Sequence, residues 1–275
     1  MVTWQKFLRS WLDNDWLSWG AGALLSVNLG FFGTCGLLET MISSGLARRS
    51  YIEYGQPREA ALAKTREKIP FWTQLRVSAW TLLGPAALLN SALAAVVLPR
   101  MVSPGRSFPL LPGRVDFLCK FVAMELIGDF LLYVGHRILH EYLWDYHKYH
   151  HKIDTPTPAS TACIDGLDVT IQSGIPTVMC ALLTQPHPLT FYACTCARVA
   201  ENVVNHSGMD HWLINLIFLK DLPFRAGVAV HDAHHKYSNY AENAKNFGEN
   251  FLLWDWAFGT LGKVEATTRR GSEPL

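Results

Sequence analysis

The chain has 275 residues, of which 49% are hydrophobic and 17% charged, and its formal net charge is +1. This composition excludes a disordered chain, which needs low hydrophobicity and high net charge. It also excludes a nucleic-acid binder, which normally carries a basic field. The length suits one domain or two small ones, and a mean hydropathy of +0.10 fits a chain with one part for lipid and one for water.

From the N-terminus, Asp13 and Asp15 precede the first apolar run, so no cleavable signal pattern is present. Residues 16–42 and 80–98 form long apolar runs, the first with Glu39 near its end and the second without a charge. Residues 115–135 form a third run that holds Lys120, Glu125 and Asp129. Residues 169–183 and 189–204 form a fourth and a fifth, separated by TQPHP. A span needs about 20 mostly apolar residues. The first two runs qualify. The other three are short or charged, so neighbouring helices must shield them, and Glu125 and Asp129 should face the bundle interior. The Pro-containing stretches 103–112 and 154–158 read as loops. The six cysteines form no CxxC pair and read as buried free thiols.

Loop charge sets an orientation. The segment between the first two runs holds Arg48, Arg49, Arg58, Lys64, Arg66, Lys68 and Arg76, and the next connection only Arg100, Arg106 and Arg114. The positive-inside rule places the first of these loops in the cytosol. Counting onward puts residues 136–165 and 206–275 in that same compartment and His187 at the far tip of a hairpin. The expected fold is an all-α integral membrane bundle of four to five membrane helices with a cytosolic helical cap. Residues 1–114 are expected to form an N-terminal membrane region with two spanning helices and a basic cytosolic loop, and residues 115–275 a second domain.

Ten of the 11 His fall in the two cytosolic segments. Nine lie in tight patterns: HRILH (His136, His140), HKYHH (His147, His150, His151), NHSG (His206) and HDAHH (His231, His234, His235). Residues four apart share one face of a helix, so two imidazoles can converge on one ion. A straight helix over 136–151 would spread its five His across about 22 Å, so the chain should bend between His140 and His147. Nine imidazoles exceed the roughly four ligands of a zinc site. Two metals are the economical reading, and Fe, Zn, Cu and Ni all suit imidazole. These nine His are the candidate metal-ligating and catalytic residues. Asn202, four residues before His206, could add a direct or water-bridged ligand, or pack structurally. Asp232 and Asp255 are the favoured carboxylates for orienting imidazole N–H groups. His211 reads mainly as surface, and His187 as a solvated loop residue.

These boxes, followed by NFGENFLLWDWAFGTL, resemble the fatty acid hydroxylase superfamily, also called the sterol desaturase family. The resemblance runs from about Asp129 to Leu261 and is nearest the cholesterol 25-hydroxylase-like branch. It implies a multi-pass enzyme of the endoplasmic reticulum membrane with a di-iron centre on the cytosolic face, built from the nine patterned His. It also implies dioxygen as co-substrate and electrons from NADPH through a separate cytochrome b5 and reductase. Asn202 is similar to the Asn that precedes an isolated His ligand in some membrane desaturases. Where many members carry His-Pro-x-Glu after the second box, this chain reads Asp165-Gly166-Leu167-Asp168, a departure that puts an orienting role for that segment in doubt. The expected activity is hydroxylation, or another oxidation such as desaturation or epoxidation, of a sterol, terpenoid or fatty-acyl lipid. The competing reading from another class is a membrane zinc hydrolase that uses metal-activated water. Its weaknesses are the excess of His and the lack of an HExxH motif.

Overall fold

The computed structural model describes residues 3–102, 107–241 and 243–268. Arg106 and the beginning of the 103–112 loop lie outside them. Helix α1 (Thr3–Leu12) leads to a π-helical turn, Trp16–Ala21, which runs into α2 (Gly22–Ser43). Gly45, at φ +78°, turns the chain after it, as a residue without Cβ can. A short strand β1 (Ile52–Glu53) and the polar helix α3 (Arg58–Lys68) follow. Helices α4 (Phe71–Leu83) and α5 (Pro85–Val102) meet at Gly84-Pro85, where proline has no N–H to continue the ladder.

Helix α6 (Arg114–Tyr142) is 29 residues long, about 43 Å, and so extends beyond an apolar layer of about 30 Å. It stops at Leu143, and α7 (Trp144–His147) starts in a new direction. This is the bend expected between His140 and His147. A 3-10 turn, His150–Lys152, then carries the rest of the second box, so that box is not one continuous α-helix. Helix α8 (Gly166–Val169), a π turn (Thr170–Gly174) and α9 (Ile175–Thr184) make one rod. Helices α10 (Pro188–Asn205), α11 (Trp212–Ile217), α12 (Val228–Tyr237) and α13 (Leu253–Ala257) complete the bundle. The last described residues, β2 (Thr267–Thr268), pair antiparallel with β1.

Among the described residues, three helical stretches are long and apolar enough to cross a membrane: Trp16–Ser43, Phe71–Val102 and Gly166–Thr184. This is the pattern of a multi-pass membrane protein. Helices α6 and α10 were expected to join them, but charge interrupts both. Lys120, Glu125 and Asp129 lie within α6, and Arg198 and Glu201 within α10. The two helices are packed into the bundle, where these groups find partners. Asp129 is fully buried and accepts from the backbone N–H of Asn250 and Phe251 at 2.9 and 3.2 Å. Arg198 donates to the backbone oxygen of Glu125 at 3.1 Å and faces its carboxylate at 3.8 Å.

The basic first loop does share one end of the molecule with the His-rich segments. Ile52 N–H donates to the Gly208 oxygen at 2.9 Å. The buried Arg58 guanidinium, 2% exposed, pairs with Asp232 at 2.9 Å and donates to the Pro156 oxygen at 2.9 Å. His187 departs from expectation. It is buried, donates from Nε2 to the Pro109 oxygen at 2.8 Å, and accepts from Leu189 N–H at 3.1 Å. It therefore caps α10 ahead of Pro188, because the first N–H groups of a helix need partners.

Helix α2 approaches α10 through Gly30, where an added Cβ would stand 2.6 Å from the Cys196 backbone oxygen. Small residues permit such close approach between membrane helices. Gly33, one turn along, has nothing within 4 Å of an added Cβ. Gly30→Leu should therefore cost about 1–3 kcal/mol through overpacking and lower the thermal midpoint of the detergent-solubilised protein. Gly33→Ala should leave that midpoint unchanged or slightly higher.

Candidate metal centre

The nine patterned His come together in two groups. His136, His140, His147, His151 and His234 form one, and His150, His206, His231 and His235 the other. Within each group the ligand-capable atoms lie within 4.8 Å of one another, and no ring is more than 5% exposed. Residues four apart do stay together, His136/His140 and His231/His235 on one α-helix each and His147/His151 across a turn and a 3-10 segment. His136/His140, His147/His151 and His231/His235 each stay within one group. The middle His of each HxxHH box crosses over: His150 leaves the group of His147 and His151, and His234 leaves that of His231 and His235. Each of these boxes therefore ties the two groups together.

Hydrogen bonding sets the tautomers. Nδ1 of His136 lies 3.0 Å from the Phe247 oxygen, that of His140 3.0 Å from the Tyr240 oxygen and that of His235 3.0 Å from the Ile153 oxygen. Nδ1 of His206 lies 2.9 Å from the Asn202 oxygen and that of His234 2.6 Å from the Lys245 oxygen. A carbonyl oxygen only accepts, so each of these Nδ1 atoms carries the hydrogen, and a neutral ring then presents a bare lone pair at Nε2. The Nε2 atoms are the ones that converge. His151 Nε2 lies 3.1, 3.1 and 3.2 Å from those of His140, His147 and His234. His206 Nε2 lies 3.1 Å from that of His231 and 3.3 Å from that of His150. One proton on His151 can bridge only one of its three neighbours. The Nε2 atoms of His136 and His235 are buried with no hydrogen-bond partner at all. Lone pairs aimed at one another in a dry interior are relieved by a cation, so the donor set fits one transition metal in each group.

Carboxylates orient this centre differently from expectation. Asp168 accepts from His147 Nδ1 at 2.7 Å, with both side chains fully buried. It is the fourth residue of Asp165-Gly166-Leu167-Asp168, so this segment does supply a carboxylate to the centre. Among the described residues Asp232 accepts from no imidazole; it pairs with Arg58 at 2.9 Å. Asp255 accepts from Phe247 N–H at 2.9 Å, Gly248 N–H at 2.7 Å and the Thr260 hydroxyl at 2.7 Å. It therefore fixes the turn whose Phe247 carbonyl holds His136, without reaching the ring itself. Asn202 spends its side-chain amide on Glu249 and meets His206 through its backbone oxygen. His211 belongs to neither group; it caps α11 by accepting from Leu213 N–H at 3.2 Å.

A cavity of about 1460 Å³, counting its open mouth, runs between the helices. Val27, Leu82, Met124, Leu132 and Phe191 contribute apolar wall, and His150 and His206 of the four-His group also line it. Beside these two His, the lining turns polar at Asn202 and Glu249. Burial, followed by the nearby Asp129 charge, pushes the Glu249 carboxyl up to about 8.

A family model for fatty acid hydroxylase matches residues 121–260. The chain belongs to the fatty acid hydroxylase family. Methylsterol monooxygenase 2-2 of Arabidopsis thaliana is 31% identical over 172 residues, 61% of each chain. A very-long-chain aldehyde decarbonylase, GL1-8 of Oryza sativa subsp. indica, is 33% identical over 157 residues, 56% of each chain. A second decarbonylase, GL1-10 of Oryza sativa subsp. japonica, is 30% identical over 164 residues, 58% of this chain and 52% of that relative. The matched stretch thus spans about half to three-fifths of these relatives' length. No solved structure matches the chain.

Two outcomes follow from this geometry. Asp168→Asn removes the charge that holds His147, and metal affinity should drop by about 10–100-fold, measured by chelator competition. The second concerns acid. Burial, with neighbouring imidazoles next, holds His150, His151, His231, His234 and His235 well below the usual imidazole range. The unfolded chain takes up protons below a pH of about 6.5, while the folded chain refuses them. The associated stability is complete above that pH and drains as pH falls. The thermal midpoint of chelator-treated protein should therefore fall between about pH 7 and pH 5, and a flat profile would contradict the burial of these rings.

Proposed function

We propose that this chain is a membrane-bound di-iron oxygenase that hydroxylates, or otherwise oxidises, a lipid such as a sterol, terpenoid or fatty-acyl substrate. The observation that carries the reading is the pair of His groups with converging Nε2 atoms, one group lining an apolar cavity through His150 and His206. The nine patterned His would hold two metals, and Asn202 would act through its carbonyl on His206. When bound, iron supplies the activation of dioxygen that amino-acid side chains lack.

The remaining tasks fall to the chain. The apolar wall admits a lipid from the membrane side and excludes bulk water. Asp168 and the Phe247, Tyr240, Lys245, Ile153 and Asn202 carbonyls hold the imidazoles in one tautomer and orientation. Hydroxylation consumes the lipid, one dioxygen, two electrons and two protons, and yields the alcohol and water. The electrons would come from NADPH through cytochrome b5 and its reductase. The names of the relatives support a lipid substrate, and the family match from residue 121 supports a catalytic part at 115–275 behind a membrane region at 1–114. The basic first loop, packed on the His-rich end, supports a centre on the cytosolic face of the endoplasmic reticulum membrane.

The test is metal analysis joined to an activity assay. Purified protein should carry two irons per chain, consume oxygen when given reductant and lipid, and yield an oxidised lipid by mass spectrometry. Tightly bound zinc with oxygen-independent hydrolysis would overturn the reading. His136→Ala and His231→Ala each strike a different group, so each should lower iron content from two toward one per chain and abolish turnover.

A further inference from the structure

The nine imidazoles are buried, so an outside reductant cannot touch them. Trp144 is half-buried at the start of α7. Its ring centroid lies 5.1 Å from that of His140, 5.4 Å from that of His151 and 6.1 Å from that of His147. All three imidazoles belong to the five-His group. The other aromatic ring against that group, Phe247, is only 2% exposed and continues inward to Tyr133. The four-His group, in contrast, meets the apolar cavity at His150 and His206. One metal group thus faces the lipid space, and a half-buried indole lies between three rings of the other group and the aqueous surface.

We propose that Trp144 is the electron-entry residue of the centre, coupling a docked one-electron carrier protein to the five-His group. This rests on the oxygenase reading above. Electron transfer weakens steeply with distance, so an aromatic ring in van der Waals reach of three imidazoles is the strongest bridge across the protein shell. Tyr142 and Tyr146, two residues to either side of Trp144 in the chain, are exposed, as is Tyr240. Tyr240 adds a second path, since its carbonyl accepts from His140 Nδ1 at 3.0 Å. Per turnover, two reduced carriers each lose one electron, and the indole is left unchanged. With two protons, those electrons reduce one oxygen atom of dioxygen to water while the other enters the lipid C–H bond.

Stopped-flow reduction of the iron-loaded, full-length protein by the reduced haem domain of cytochrome b5 tests this directly. Trp144→Leu should retain its iron and its KM for lipid, while the rate of iron reduction falls by an order of magnitude and kcat follows. Trp144→Phe keeps a smaller ring against the imidazoles and should fall between Leu and wild type. Wild-type reduction rates in iron-replete Trp144→Leu would overturn the proposal. Should Leu loosen the iron, Trp144→Phe decides: reduction at the wild-type rate overturns the proposal, and slowed reduction at full iron content supports it. If wild-type protein holds no reducible iron, the oxygenase reading itself falls, a result distinct from any difference between variants.

Discussion

Nine imidazoles are crowded into a buried interior with their ring nitrogens set against one another, and much of this structure serves to hold them there. Carbonyl oxygens take the Nδ1 hydrogens of five rings and thereby turn bare Nε2 atoms inward. Desolvation keeps those rings from relieving the strain by protonation. What remains is an arrangement that suits one transition-metal cation in each group. The two HxxHH boxes each give two rings to one group and one ring to the other, so the two groups cannot move independently.

The carbonyls are effective only if their backbone is fixed. The 245–251 segment provides two of them, at Lys245 and Phe247, and two buried acids pin it. Asp129 reaches up from α6 to Asn250 and Phe251, and Asp255 from α13 takes Phe247 and Gly248. On the other side, Arg58 from the first loop neutralises Asp232, which sits between His231 and His234 on α12. Breaking such a buried pair costs about 3–5 kcal/mol. The N-terminal region therefore does more than anchor the chain, because its loop braces the third His box.

The two ends of the centre differ in surroundings. His150 and His206 look into an apolar space enclosed by membrane helices, and His140, His147 and His151 back onto a half-buried indole near water. The buried acids and bases of α6 and α10 explain how these helices sit in the bundle without being apolar enough to span by composition. Their charges are matched inward, as Asp129 and the Glu125–Arg198 pair illustrate.

Much of this was written in the sequence. Helical periodicity brings together His136/His140 and His231/His235, and the same spacing holds for His147/His151 although that segment is a turn and a 3-10 helix. Length arithmetic over residues 136–151 required the bend that Leu143 supplies. Charge asymmetry placed the basic loop with the His boxes. What the sequence could not carry was contact between distant segments. Asp168 touches His147, and Arg58 takes the Asp232 carboxylate that seemed free for an imidazole. His187 looked solvated because a Pro-flanked tip reads as a turn, yet folding set a carbonyl and an orphan helix N–H against its two ring nitrogens. Local periodicity is a property of neighbouring residues, so the sequence by itself determined which rings converge. The allotment of rings between two groups, and the partners that orient them, were decided only when α6, α10, α12 and the 245–251 segment closed on one another.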